Sequence, residues 1–325
     1  MLSAQLSHAL GEIPDFFFQL QIESRDLYPQ IVYQLEQETG MDVGYRGCGL
    51  LYLVASQQQA RLILKKVQWQ KKRNFPVVCL SPREIRRQEP AIDGRFYCGF
   101  FFPKDSQVNN TCLTLAYAKA AQKRGVKFLL GHTAGRLLIQ QKRVQGVQTA
   151  SRRICLAPVV VNACGSWAHF DKSLPFKIPV FPAKGQMLVF QFRKERPLFQ
   201  TPVLSHKAYG VPRGNGEFLV GTTVEQVGFD KRVTQKGKKM ILEGFSTIST
   251  CLRGRSPKTA WAGFRPCTPD HLPILGPTPI QGFYLATGHF RDGILLSPMT
   301  ARLITSIILK VKIPPILKPY LLERF

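Results

Sequence analysis

The stretch Gly288-His-Phe-Arg-Asp-Gly-Ile-Leu-Leu-Ser-Pro298 governs how the rest of the chain is read. A strand-like run, Phe283 to Ala286, stops at Gly288, and an apolar helical pattern runs from Gly293 to Ile308. Such a turn presents a helix N-terminus, whose unsatisfied N–H groups and partial positive charge suit an anion or an electron-rich ring. Glycines at both ends let a ligand approach the backbone. A plain strand-to-helix loop with a solvated Arg291 fits the same residues.

Just upstream, Ala262-Gly-Phe-Arg-Pro-Cys-Thr-Pro-Asp-His-Leu-Pro-Ile-Leu-Gly276 places Arg265 before Pro266. Proline excludes helix and holds the residue before it extended. A guanidinium held in this way suits bidentate recognition of a carboxylate. Further upstream, Tyr209-Gly-Val-Pro-Arg213 precedes a glycine-rich turn and the strand Phe218 to Gly221. Tyr209 offers a hydroxyl at a strand start, although a core or interface aromatic reads the same.

The elements around these motifs alternate in kind. A helix is expected over Ile22 to Glu38, with Pro29 near its start and Gly40 as its stop. GCGLLYLVAS reads as a buried strand, and QQQARLILKKVQWQKKRN as a helix with Leu62, Ile63, Leu64 and Val67 partly inside. Asn110 or Thr111 caps a helix from Cys112 to Lys123, and Val126 to Leu130 forms a short strand after Gly125. A hairpin (Arg136 to Gln140, Val144 to Thr149) and a buried parallel strand (Ala157 to Ala163, closed by Gly165) follow. Between Phe176 and Leu252 the signal is antiparallel sheet, with helix returning near Thr234. The fold class is therefore α/β (α+β), woven between two domains.

Composition narrows the class. The 325 residues, 44% hydrophobic and 10% aromatic, belong to a globular protein. A net charge of +25 attracts anions, yet the clusters at Lys65, Lys66, Lys71, Lys72 and Arg73 and at Lys236, Lys238 and Lys239 lack stacking aromatics. They read as solvated helix faces, not a nucleic-acid interface. The eight cysteines form no Cys-x-x-Cys pair; Cys112, Cys155 and Cys164 are expected as reduced, buried thiols, so no metal and a cytoplasmic location are expected. The N-terminus lacks a basic region and carries Glu12 and Asp15, and Arg302 interrupts the late apolar stretch, so neither a signal peptide nor a membrane span is expected.

Together, GFRPCTPDHLPILGP, YGVPRGNGEFLVGTTVEQVGFDKRVT, VVVNACGSW and ATGHFRDGILLSP resemble, in order, the signatures of D-amino-acid-oxidase-like flavoenzymes, and within them the glycine oxidase branch of thiamine biosynthesis. The resemblance implies a glutathione-reductase-like FAD domain (1–43, 106–176, 259–325) interleaved with an antiparallel-sheet substrate domain (44–105, 177–258). It implies non-covalent FAD and oxidative deamination of glycine or another small amino acid by O2, giving glyoxylate, ammonia and peroxide and feeding thiamine thiazole synthesis. Arg265 would pair with the substrate carboxylate, Tyr209 would hydrogen-bond it, and Arg291 would lie beside it. His289, Phe290, Arg291, Asp292, Gly293, Ile294 and Leu295 would wrap the flavin, and Gly135 would add a backbone contact. No side-chain acid or base is required, and a homotetramer follows family precedent.

The chain departs from that pattern in one large respect: it contains no Gly-x-Gly-x-x-Gly, the unit that seats the FAD pyrophosphate. Three expectations follow: an upstream start, a separate chain that supplies the unit, or a degenerate remnant. Each leaves apolar strand faces exposed in these residues, with weak FAD binding. Asp292 also stands where asparagine is usual, and Gly135 where an aliphatic residue is. A membrane-surface dehydrogenase that passes electrons to a quinone is the alternative enzyme.

Overall fold

Pro29 divides what the periodic pattern predicts as one helix. After α1 (Ala4–Ala9) come α2 (Asp15–Asp26) and α3 (Tyr28–Thr39), with Pro29 in the first turn of α3. Proline has no N–H to continue a preceding ladder but suits a helix start, so the expected single helix becomes two. Gly40 ends α3 in the left-handed conformation, as predicted. The computed structural model describes residues 1–11, 13–195, 197–309 and 315–325; Glu12 lies outside them.

Next come β1 (Leu50–Val54), α4 (Gln57–Lys71), β2 (Val78–Leu80), α5 (Pro82–Gln88), β3 (Cys98–Phe102) and α6 (Asn110–Lys123). The chain continues through β4 (Ala134–Gln140), β5 (Arg143–Thr149), β6 (Ile154–Leu156), β7 (Val160–Asn162) and β8 (Phe181–Gln191). It then forms β9 (Val203–Leu204), β10 (Tyr209–Pro212), β11 (Glu217–Gly221) and α7 (Gln235–Ser246). Last are β12 (Thr259–Cys267), β13 (Ile274–Pro277), β14 (Phe283–Thr287) and α8 (Gly293–Ile308). The mixed α/β class holds, and both segments flanking the Gly288 turn fall where the sequence places them.

The chain packs as two units. The first comprises Met1–Ala120, Gly185–Glu225 and Lys231–Gly263. Its sheet runs in the order β12-β8-β11-β10-β9-β1-β3-β2, antiparallel at β10–β11 and β8–β11, over a core that includes Leu51, Phe190, Phe218 and Phe245. Residues 1–43, expected with the cofactor half, pack within this unit. Asp105 accepts the N–H groups of Gln5 and Leu6 at the start of α1, and the Gln70 amide donates to the Gln5 carbonyl. On α4, Ile63 and Val67 turn inward as predicted, but Leu62 is exposed because the buried stripe runs through Ala60, Ile63, Val67 and Gln70.

The second unit comprises Ala121–Lys184, Gln226–Asp230 and Phe264–Phe325. β14 pairs antiparallel with β13 and parallel with β7, and Phe283, Leu285 and Ile274 are fully buried among Leu137, Val144 and Ile178. The predicted hairpin forms as β4–β5, extended by β6. Two expectations fail here. Residues 126–130 form no strand, and the predicted buried strand at 157–163 is a three-residue edge with Val159 and Val161 exposed. A parallel strand is buried only when both neighbours and both faces are covered, and among the described residues β7 pairs with β14 alone. The eight cysteines are free, but Cys112, Cys155 and Cys164 are half-buried, because α6, β6 and the turn after β7 lie at the periphery.

Candidate active site

The turn from Gly288 to Gly293 is built from several close fits. Gly288 adopts φ +75°, and a Cβ there would come within 2.7 Å of Thr268 Cγ2, so only glycine serves. Phe290, without glycine's freedom, also takes a positive φ of 47°. Its N–H donates to the Pro266 carbonyl over 2.8 Å, and its ring stacks on His271 at 4.8 Å. The hydrogen bond joins the turn to β12 one residue beyond Arg265, which is half-buried on that strand. Two sequence motifs thus meet through one backbone contact.

Around the turn, Arg291 is exposed, its guanidinium 5.0 Å from the Phe290 ring centre. His289 keeps some surface, but its ring nitrogens lie under their neighbours, and desolvation lowers its pKa to about 4. The imidazole is therefore neutral near pH 7, with Nε2 2.9 Å from Thr300 Oγ1. Asp292 stands at the N-cap of α8 without a side-chain cap bond, Ile294 is half-buried, and Leu295 packs inside. A Cβ on Gly293 would meet only His289 Cβ within 4 Å, at 3.6 Å. The open side of Gly293 at the start of α8 fits the edge of a flat, electron-rich ring.

Other predicted residues sit elsewhere. Gly135 lies at a register shift in β4, where a Cβ would come within 3.1 Å of Gln148 O and Ala150 N, so a side chain there would press on the hairpin backbone. Tyr209 belongs to the first unit. It starts β10 opposite Gly221 and donates its hydroxyl to Met187 Sδ at 3.2 Å. A Cβ on Gly221 would fall 2.1 Å from that sulfur, so the glycine makes room for the thioether under the tyrosine.

Sequence reasoning passed over two supports. Asn162 accepts the Cys164 N–H at 3.1 Å and donates to the Ala168 carbonyl at 2.9 Å, shaping the turn after β7, whose Gly165 carbonyl accepts the Thr287 hydroxyl. An asparagine closing an apolar run is a turn signal that could have been read. His271, in contrast, is recognisable only once Phe290 is placed beside it.

Residues 2–307 match the family described as DAO, FAD dependent oxidoreductase. The chain belongs to this FAD-dependent oxidoreductase family. Its cofactor is FAD. Family resemblance extends to a Bifunctional protein ThiO/ThiG of Trichormus variabilis, 38% identical over 305 residues, covering 93% of this chain and 45% of that protein. The Hydrogen cyanide synthase subunit HcnC of Pseudomonas aeruginosa is 33% identical over 326 residues, 96% of this chain and 75% of that one. The crystal structure of glycine oxidase from Geobacillus kaustophilus superposes with a TM-score of 0.91 at 28% identity, covering 98% of this chain and 86% of that one. The chain thus spans about half the length of the bifunctional relatives. Among the described residues no helix is long and apolar enough to cross a membrane, and no cluster of His, Cys, Asp or Glu could hold a metal ion.

Proposed function

We propose that this chain serves FAD-dependent oxidative deamination of glycine or another small amino acid. The observation that carries the reading is the Phe290 N–H to Pro266 carbonyl bond, which ties the candidate flavin turn to the strand bearing Arg265. The similarity to glycine oxidase and ThiO/ThiG proteins supports the substrate class, and feeding of thiamine thiazole synthesis belongs to the same proposal. FAD, when bound, supplies the acceptor for two electrons from the substrate.

In this reading Arg265 binds the carboxylate through two parallel N–H donors. Fixing the carboxylate orients the Cα–H bond, which converts binding into rate. Arg291, on the turn itself, adds a second positive charge on the substrate side. The backbone from His289 to Leu295 holds the ring end of the cofactor, and neutral His289 adds no competing charge.

Arg265→Ala tests the assignment. Losing a buried charge-assisted pair costs about 2 to 5 kcal/mol of carboxylate binding, so KM for glycine should rise by a factor of thirty or more with FAD affinity unchanged. An unchanged KM sinks the role of Arg265. Peroxide formation during turnover separates an oxidase from a dehydrogenase that reduces a quinone.

A second reading is that activity requires another polypeptide. Val126, Phe128, Leu129, Leu130, Leu156 and Val161 all lie exposed in the second unit, and one relative is described as a synthase subunit. Apolar side chains in that number fit a protein-covered face. Glycine-dependent FAD reduction by the purified chain alone would rule this reading out.

A further inference from the structure

Arg324 lies far along the chain from the cofactor turn, yet a continuous set of contacts joins them. Its guanidinium grips Asp270 with both arms, Nε to Oδ2 at 2.7 Å and Nη2 to Oδ1 at 3.2 Å. Nη2 also donates to the Leu272 carbonyl at 2.9 Å, and Nη1 donates to Leu321 of its own segment at 3.1 Å. The fork therefore holds both sides of His271. Within the same loop the Leu272 N–H donates to Asp270 Oδ1, and the Thr268 hydroxyl donates to the Leu272 carbonyl.

That loop touches the turn twice. Thr268 lies directly beneath Gly288, where no Cβ fits. The His271 ring stacks on Phe290 with an interplanar angle of 21°. Both stacked residues have positive φ, 61° for His271 and 47° for Phe290, although neither is glycine. Left-handed backbone in non-glycine residues persists only where neighbours over-determine it, and such residues gather at functional sites. Here each disfavoured residue braces the other. The Phe290 N–H bond to Pro266 fixes one partner, and the Arg324 fork around Asp270 and Leu272 fixes the other.

We propose that Arg324 is a positioning residue for the cofactor turn. It locks the Asp270 to Leu272 loop so that His271 holds Phe290 in the conformation that presents the backbone of 289–293. The role toward FAD rests on the reading of that turn as the flavin holder given above. A planar, two-armed cation is required, because a lysine ammonium can replace the charge but cannot span Asp270 and the Leu272 carbonyl in the same plane.

The test is amide hydrogen exchange of the full chain without FAD, followed by FAD titration of the same samples. Arg324→Ala should speed exchange of residues 268–272 and 289–293 about tenfold or more and leave β1 unchanged. Arg324→Lys should give an intermediate effect and guards against loss of folding in the alanine variant. Asp270→Asn should resemble Arg324→Ala, and the double variant should be no worse than either single one, as expected for one coupled unit. FAD should dissociate about tenfold more readily from Arg324→Ala. Unchanged exchange at 289–293 in both Arg324 variants overturns the buttress itself. Faster exchange with unchanged FAD affinity instead contradicts the cofactor reading of the turn and leaves Arg324 a structural residue only.

Discussion

Arg25 and Leu130 show how differently the two units finish their structures. In the first unit a buried cation, Arg25, reaches the Gln5 side chain at 3.0 Å and faces the buried Asp105, which also accepts two N–H groups of α1. In the second unit Leu130 and Leu156, both apolar, are 85% and 77% exposed. Around Arg25 the polar groups are buried and partnered, and around Leu130 and Leu156 apolar groups face solvent. Buried polar networks are tolerated only when satisfied, whereas exposed apolar clusters ask for a cover.

Breaking the polar network should have the largest effect. Asp105→Ala leaves Arg25 paired with Asp26 but strips the buried Gln5 and Leu6 N–H groups of their acceptor, and should cost the first unit about 2 to 5 kcal/mol. Denaturant unfolding followed through the Trp69 signal would show it, and a loss below about 1 kcal/mol would mean the network is ornamental.

Two buried groups, one in each unit, should respond to acid in opposite senses. Burial raises the Asp105 pKa from 3.8 to about 6, against the pull of Arg25, so the folded state holds a proton that the unfolded state has released. The contribution of Asp105 therefore falls as pH rises from about 4 to 6. His289 is the reverse: its folded pKa of about 4 lies below 6.5, so the unfolded state binds the extra proton and stability rises with pH across that range. Each effect is on the order of 3 kcal/mol at most. Relative to the unaltered chain, Asp105→Asn should steepen and His289→Gln should flatten the rise of stability with pH between 4 and 6, read by exchange of the Leu51 and Leu285 amides. Changes in the same direction would contradict the assignment.

Smaller effects sharpen the contrast. Asn109 Oδ1 accepts the Thr111 and Cys112 N–H groups, so Asn109→Ala should lower thermal stability by about 1 kcal/mol. Replacing Leu130 with glutamate and Leu156 with lysine should change stability by less than about 0.5 kcal/mol while sharply reducing binding of a hydrophobic dye. Undiminished dye binding would place the open apolar surface elsewhere.

How much could be read in advance differs between the units for physical reasons. The strand, turn and helix around Gly288 were legible because glycine, proline and apolar periodicity act locally. So was the extended backbone at Arg265, imposed by Pro266. The cap of α6 was missed by one residue, since Asn109, Asn110 and Thr111 all have suitable side chains. The strand expected at 126–130 was not legible, because an apolar run becomes a strand only when a neighbour offers an edge, and composition cannot supply one. The His271 and Phe290 stack is likewise a long-range fact, hidden until the fold brings the two loops together.

The most direct test is anaerobic. The protein is mixed with equimolar FAD, and the visible spectrum is recorded before and after adding glycine. Bleaching of the flavin bands by glycine is expected in the unaltered chain and not in Arg265→Ala at the same concentration. Bands that persist in the unaltered chain with glycine, sarcosine and small D-amino acids alike would contradict the proposal that these residues bind and orient an amino acid for oxidation.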